Sequence, residues 1–239
     1  MDVEVADGVS ILRLDHPPVN AFDLALVEDA VDTMRGVEGP VVLTGAGSCF
    51  SAGVDLSAIL DGQAAYADRF LAAVSAGFLA VFDHPAPVVA AINGHAIAGG
   101  CVLAMAADVR LMSRGKIGLR ELAVGVPFPV AALEICRFAM GPSAARAALQ
   151  ADNIDAESAL ARGWIDELVT ADDLLPRAIA VAAALGQHSP TSYALTKQQL
   201  HRPARDAIDA GVQMDAQVLA GWKSDETRAR IAAFLDALT

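Results

Sequence analysis

From Val9 to Leu14 apolar and polar side chains nearly alternate, and the run stops at Pro17-Pro18, which predicts a strand followed by a turn. Leu24, Val27, Ala30, Val31 and Met34 recur at helical spacing and predict a helix over 22–34. The runs at 40–44, 87–92 and 109–112 are short and largely apolar, as in buried strands. Residues 56–82 carry a mostly helical pattern, and 94–100 reads as a turn entering a helix that continues through Ala107. Continuous apolar strands alternating with helices predict an α/β fold with parallel pairing. After Pro127 the pattern is helical at 129–140, 143–150, 156–162, 174–185 and, with breaks, 191–235, with one strand-like piece at 165–169. Gly186 to Pro190 marks a hinge, so the chain divides into a core over 1–186 and a C-terminal helical region over 187–239.

Composition narrows the class. With 239 residues, 54% of them hydrophobic, the chain has enough apolar material for one large core without metals or disulfides. Its 17 Lys and Arg against 29 Asp and Glu leave a net charge of −12, which speaks against nucleic acid or an anionic membrane surface as partner. Three widely spaced cysteines form no CxxC and no Cys/His cluster, so neither a disulfide framework nor a zinc site is expected. The acidic start has no apolar segment of signal-peptide type, and the longest apolar run, 96–107, falls short of a membrane span. A cytoplasmic protein is expected.

The nucleotide motifs fail on inspection. Gly45-Ala46-Gly47 begins like a dinucleotide fingerprint but lacks the third glycine, and no phosphate-loop or nucleophile-elbow pattern occurs. Two glycine-bearing turns remain, at Phe50-Ser51-Ala52-Gly53-Val54-Asp55-Leu56 and at Asn93-Gly94-His95-Ala96-Ile97-Ala98-Gly99-Gly100-Cys101. Small residues there admit a ligand close to the backbone, and two amides from separate segments would make an oxyanion hole.

Together these turns resemble the crotonase (enoyl-CoA hydratase/isomerase) superfamily. The resemblance starts at His16-Pro17-Pro18-Val19-Asn20-Ala21-Phe22 and runs through both turns, through Gly118-Leu119-Arg120-Glu121, and into 156–169. It implies a β-β-α spiral core with a C-terminal helical region that builds a trimer, or a hexamer of two trimers. It also implies an acyl-CoA thioester as ligand, with no metal or redox cofactor, since coenzyme A arrives with the substrate. By the same resemblance Val54 and Gly99 supply the oxyanion amides, and Ala52, Gly53, Val54, Asp55 and Leu56 line the coenzyme A.

The acid–base residues separate the reactions. Hydratases of this superfamily carry two glutamates; the first position is Val102 here, and the second is Glu121. Valine transfers no proton. A single glutamate suits movement of a 3,4 double bond to the 2,3 position, and the resemblance leans toward 3,2-enoyl-CoA isomerases. A hydratase or related lyase, and a non-catalytic acyl-CoA binder, stay open as alternatives. Arg120 is expected either to lower the Glu121 pKa or to point toward the ligand. His95 reads as a structural hydrogen bonder, Cys101 as a packing residue, Asp55 as a helix cap, and Lys197 and Lys223 as solvated cations.

Overall fold

The computed structural model describes residues 1–62 and 64–237. β1 (Asp2–Ala6) and β2 (Val9–Leu14) form an antiparallel hairpin, followed by α1 (Leu24–Gly36), whose first turn is capped by the Asp23 carboxylate on the Leu26 amide. A unit of two strands and a helix then occurs three times. It comprises β3 (Val41–Gly45) and β4 (Cys49–Ser51) with α2 (Leu56–Asp61) and α3 (Ala64–Phe82), then β5 (Val88–Ile92) and β6 (His95–Ile97) with α4 (Gly99–Met105). The third unit is β7 (Val109–Met112) and β8 (Lys116–Gly118), a single 3-10 turn at Glu121–Ala123, and α5 (Val130–Met140). The chain continues through α6 (Ser143–Gln150), β9 (Asn153–Asp155), α7 (Ala156–Ala161), β10 (Glu167–Leu168) and α8 (Leu174–Leu185) to α9 (Pro190–Lys223) and α10 (Asp225–Asp236).

The first strand of each unit joins a six-stranded sheet of order β1-β2-β3-β5-β7-β10, parallel everywhere except at the β1–β2 edge. Val41, Val42, Val88, Val89, Ala90, Ala91 and Ile92 are all completely enclosed, as parallel strands covered on both faces require. The second strand of each unit joins a smaller sheet of order β4-β6-β8-β9, parallel except at β8–β9. The chain therefore passes from one sheet to the other and returns by a helix, three times over, as a β-β-α spiral.

Several elements depart from the sequence pattern. β1 alternates but lies at an edge with Val3 and Val5 exposed, so charge rather than apolarity dominates its sequence. The helical stretch 56–82 is divided at Gly62, which closes α2, while Gln63 lies outside the described residues. The strand-like piece 165–169 contracts to β10. The expected breaks over 191–235 reduce to one at Ser224, because α9 runs straight past Pro203. Gln199 and Pro203 both face solvent, so the carbonyl that loses its proline-blocked donor lies on the exposed side of the helix, where water can reach it. By length and composition α3 would suit a membrane, yet Phe70, Phe78 and Phe82 bury it in the core.

Helix α9 docks through a buried ion pair. Lys197 Nζ lies 2.9 Å from Asp108 Oδ2, and that oxygen also accepts from the Val88 amide at 2.8 Å. Beside it His201 stacks on Phe82 with ring centroids 3.7 Å apart. Lys197 is thus a buried partner rather than the solvated cation expected, and burial pulls its pKa down despite the carboxylate. Removing one member strands the other charge. Asp108→Ala is expected to cost about 3 kcal/mol, read as a fall in Tm of roughly 6–12 °C by calorimetry. A fall below about 2 °C would mean the pair does not hold α9 in place.

Candidate active site

Each of the three units contributes one segment to the same place. Val54 follows the end of β4, Gly99 follows β6, and Glu121 follows β8. Since β4, β6 and β8 pair in parallel, their C-terminal ends are neighbours, and so are the segments that leave them.

The first motif braces the first turn. Asn20 is buried, and its Nδ2 donates to the carbonyls of Cys49 at 2.8 Å and Ala46 at 3.0 Å. Ser51 Oγ donates to the Asn20 carbonyl at 2.7 Å and accepts from the Gly53 amide at 3.0 Å. Phe22 bridges Val54 as a parallel partner, its amide bonding the Gly53 carbonyl and its carbonyl accepting from Asp55. That pattern uses the residues on either side of Val54 and turns the Val54 amide away from the bridge. Asn20 and Ser51 stand inside the motifs that carry the resemblance, yet their bracing role has no signal in the sequence.

Missing Cβ atoms let the two turns touch. Gly53 sits at φ +83°, and a methyl group there would lie 2.8 Å from the Gly99 nitrogen. A methyl group on Gly100 would lie 2.3 Å from the Ser51 carbonyl oxygen. Gly99 opens α4, so its amide has no carbonyl one turn back to bond. Ala98, just before it, holds φ 51° and ψ −120°, a strained setting for a residue with a side chain.

Glu121 opens the 3-10 turn with its carboxyl almost wholly buried and Oε2 without a hydrogen-bond partner. Burial pushes this carboxyl up from its ordinary 4.5 to about 8, while nearby backbone amides of Glu121 and Arg120 pull weakly the other way. The Arg120 guanidinium takes no part in this, for its Nη1 donates to the Ala151 carbonyl at 2.6 Å, at the end of α6. The lowered Glu121 pKa considered from sequence is therefore reversed in direction.

Glu121, Val102, Ala52, Val54, Leu56, Gly99 and Arg120 line one cavity of about 90 Å³. Leu71, Val74 and Phe78 of α3 form its apolar wall, and Trp222 of α9 and Phe234 of α10 close it. Trp222 is anchored by its Nε1 on the Pro127 carbonyl at 2.8 Å, and Arg228 ties α10 to the Leu60 carbonyl at 2.7 Å. These closing residues come from the C-terminal helical region, outside the core over 1–186. Among the described lining residues Glu121 is the one carboxylate.

The remaining candidates find other places. Asp55 caps α2 by accepting from the Ala58 amide, and His95 Nδ1 accepts from the Lys116 amide at 3.2 Å on an exposed strand. Cys101 is completely buried and burial raises its thiol well above the ordinary value, so it packs. Lys223 pairs with Asp68.

Known proteins share this arrangement. The family model described as enoyl-CoA hydratase/isomerase matches residues 4–238. A probable enoyl-CoA hydratase, echA8 of Mycobacterium bovis, is 26% identical over 98% of this chain and 94% of its own length. Mitochondrial enoyl-CoA delta isomerase 1 of Rattus norvegicus is 26% identical over 97% of this chain and 84% of its own. The crystal structure of human mitochondrial delta3-delta2-enoyl-CoA isomerase has the same fold, with a TM-score of 0.92 at 24% identity, covering 99% of this chain and 96% of that one. With the match spanning nearly every residue that builds the spiral and the cavity, the chain belongs to the enoyl-CoA hydratase/isomerase family.

Proposed function

We propose that the chain isomerises 3-enoyl-CoA to trans-2-enoyl-CoA. The observation that supports this reading is a largely apolar cavity with one carboxylate among its described lining residues, Glu121, and with Val102 fully buried in its wall. Water addition needs a nucleophilic water held by an acceptor, and valine offers none. A double-bond shift needs only one base that removes a proton from C2 and returns it to C4. In the proposed reaction the Val54 and Gly99 amides hold the thioester oxygen while its charge develops. The dienolate persists long enough for Glu121 to re-deliver the proton. Its burial makes the carboxylate a stronger base than an exposed glutamate, at the cost of being protonated in most free molecules at neutral pH. Arg120, held on the Ala151 carbonyl, edges the cavity where it orients the ligand. No cofactor beyond the coenzyme A of the substrate enters this scheme.

The rival reading is hydration, because relatives carry both hydratase and isomerase names. One assay panel separates the readings: the wild type is expected to turn over 3-enoyl thioesters faster than it hydrates 2-enoyl ones, and the reverse order would make it a hydratase. No turnover of either would leave an acyl-CoA binder. Glu121→Gln keeps shape but removes the acceptor, and is expected to lower isomerase kcat at least about 100-fold with acyl-CoA affinity within a few-fold. Wild-type turnover in this variant would exclude Glu121 as the shuttle.

The pH dependence follows from the raised pKa. Glu121 must be ionised in the free protein to take a proton, so kcat/KM is expected to rise with pH, about ten-fold per unit, and to level off above about 8. A profile flat from about pH 6 to 9 would contradict the assignment.

We also propose a homotrimer, or a hexamer of two trimers. Leu195, Leu200, Val212 and Met214 stand exposed along α9 and are apolar residues that such an assembly would cover. Light scattering at micromolar concentration is expected to give three or six times the mass of the chain, and a monomer would refute the assembly.

A further inference from the structure

Helix α3 stands between two separate spaces. On one side Leu71, Val74 and Phe78 line the cavity that holds Glu121. On the other side Val74 and Phe78 line a second void of about 40 Å³, toward α1, with Leu26, Val27, Ala30 and Leu103 among its walls. Every side chain around that void is apolar. Packed interiors keep few such gaps, and an apolar gap accepts apolar guests.

The partition is firm. Phe78 and Val74 are each 3% exposed. The Phe78 ring meets Phe22 edge-on, with centroids 6.4 Å apart and planes at 61°. Phe22 in turn rests against Gly99, where a methyl group would sit 3.3 Å from its ring, and its backbone bridges Val54. The ring that separates the two spaces is therefore braced by the same residue that braces the two turns.

We propose that Phe78, with Val74 beside it, sets the length of acyl chain that the site accepts. It ends the cavity of about 90 Å³ before the void under α1, so that the protein takes short acyl groups. A smaller residue at 78 joins the two spaces into one longer apolar channel. Ala30 lines the void alone, so a larger side chain there refills the extension without touching the cavity. The inference rests on the acyl-CoA reading but not on which reaction follows.

Saturated acyl-CoA thioesters test it, because they neither isomerise nor hydrate. Binding of butanoyl, hexanoyl, octanoyl and decanoyl thioesters is measured by calorimetry for wild type, Phe78→Ala, and Phe78→Ala combined with Ala30→Leu. Each methylene moved from water into an apolar space is worth roughly four-fold in affinity. The wild type is expected to gain nothing beyond hexanoyl. Phe78→Ala is expected to favour octanoyl over butanoyl at least about ten-fold more than wild type does, and Ala30→Leu to abolish that gain. A chain-length profile within about two-fold of wild type, or a gain that survives Ala30→Leu, overturns the proposal. Should Phe78→Ala fail to melt cooperatively, Phe78→Leu opens the same wall by less, and a flat profile there overturns it equally. Failure of the wild type to bind any of the four thioesters would instead sink the acyl-CoA reading.

Discussion

Parallel pairing of β4, β6 and β8 is the constraint on which the rest of the site depends. These strands have three residues each, too few to be stable as an isolated sheet. They hold because each follows a buried strand of the larger sheet after a short turn, so the register of that sheet is passed on to them. Once their ends are level, the residues that follow have to converge, and only glycine lets them converge closely enough. Gly53 and Gly100 are the places where a side chain would drive the two turns apart. Convergence in turn brings a carboxylate from the third strand into a space that the first two have already lined with backbone.

That space is largely apolar, and burial within it accounts for the electrostatics of Glu121. A carboxylate surrounded by Val102, Val124, Val126 and Ala132 loses most of its hydration and has no cation beside it to compensate. The nearest guanidinium, Arg120, neutralises the end of α6 instead, where helix carbonyls lack donors. The two neighbours in sequence thus serve opposite ends of one segment: one stabilises a helix terminus and the other is left basic.

The large sheet was legible because strands buried on both faces are almost continuously apolar, as Val88–Ile92 illustrates. The small sheet was not, since three residues are too few to establish a hydrophobic period. Its position was visible only through the glycines that flank it. Val54, Gly99 and Glu121 were identified through the order and spacing of motifs shared with a family, not through any property of a lone valine, glycine or glutamate. The direction of the Glu121 pKa shift could not be read from Arg120, because the partner of that guanidinium is the carbonyl of Ala151, 31 positions away. Trp222 and Phe234 were hidden for a similar reason: nothing in a C-terminal amphipathic helix says that it folds back over residues near position 100.

That return has a bearing on how the chain is made. The turns, Glu121 and the α3 wall all lie within the first 121 residues and leave the ribosome early. The Trp222 and Phe234 lid emerges last. Until it arrives, Leu71, Val74 and Phe78 line an open apolar trough on an otherwise assembled spiral. Exposed surface of this kind is what draws nascent chains into aggregation or onto chaperones. The interval between spiral and lid is therefore the vulnerable stage of biosynthesis, and a codon-level pause before the final helix would prolong it.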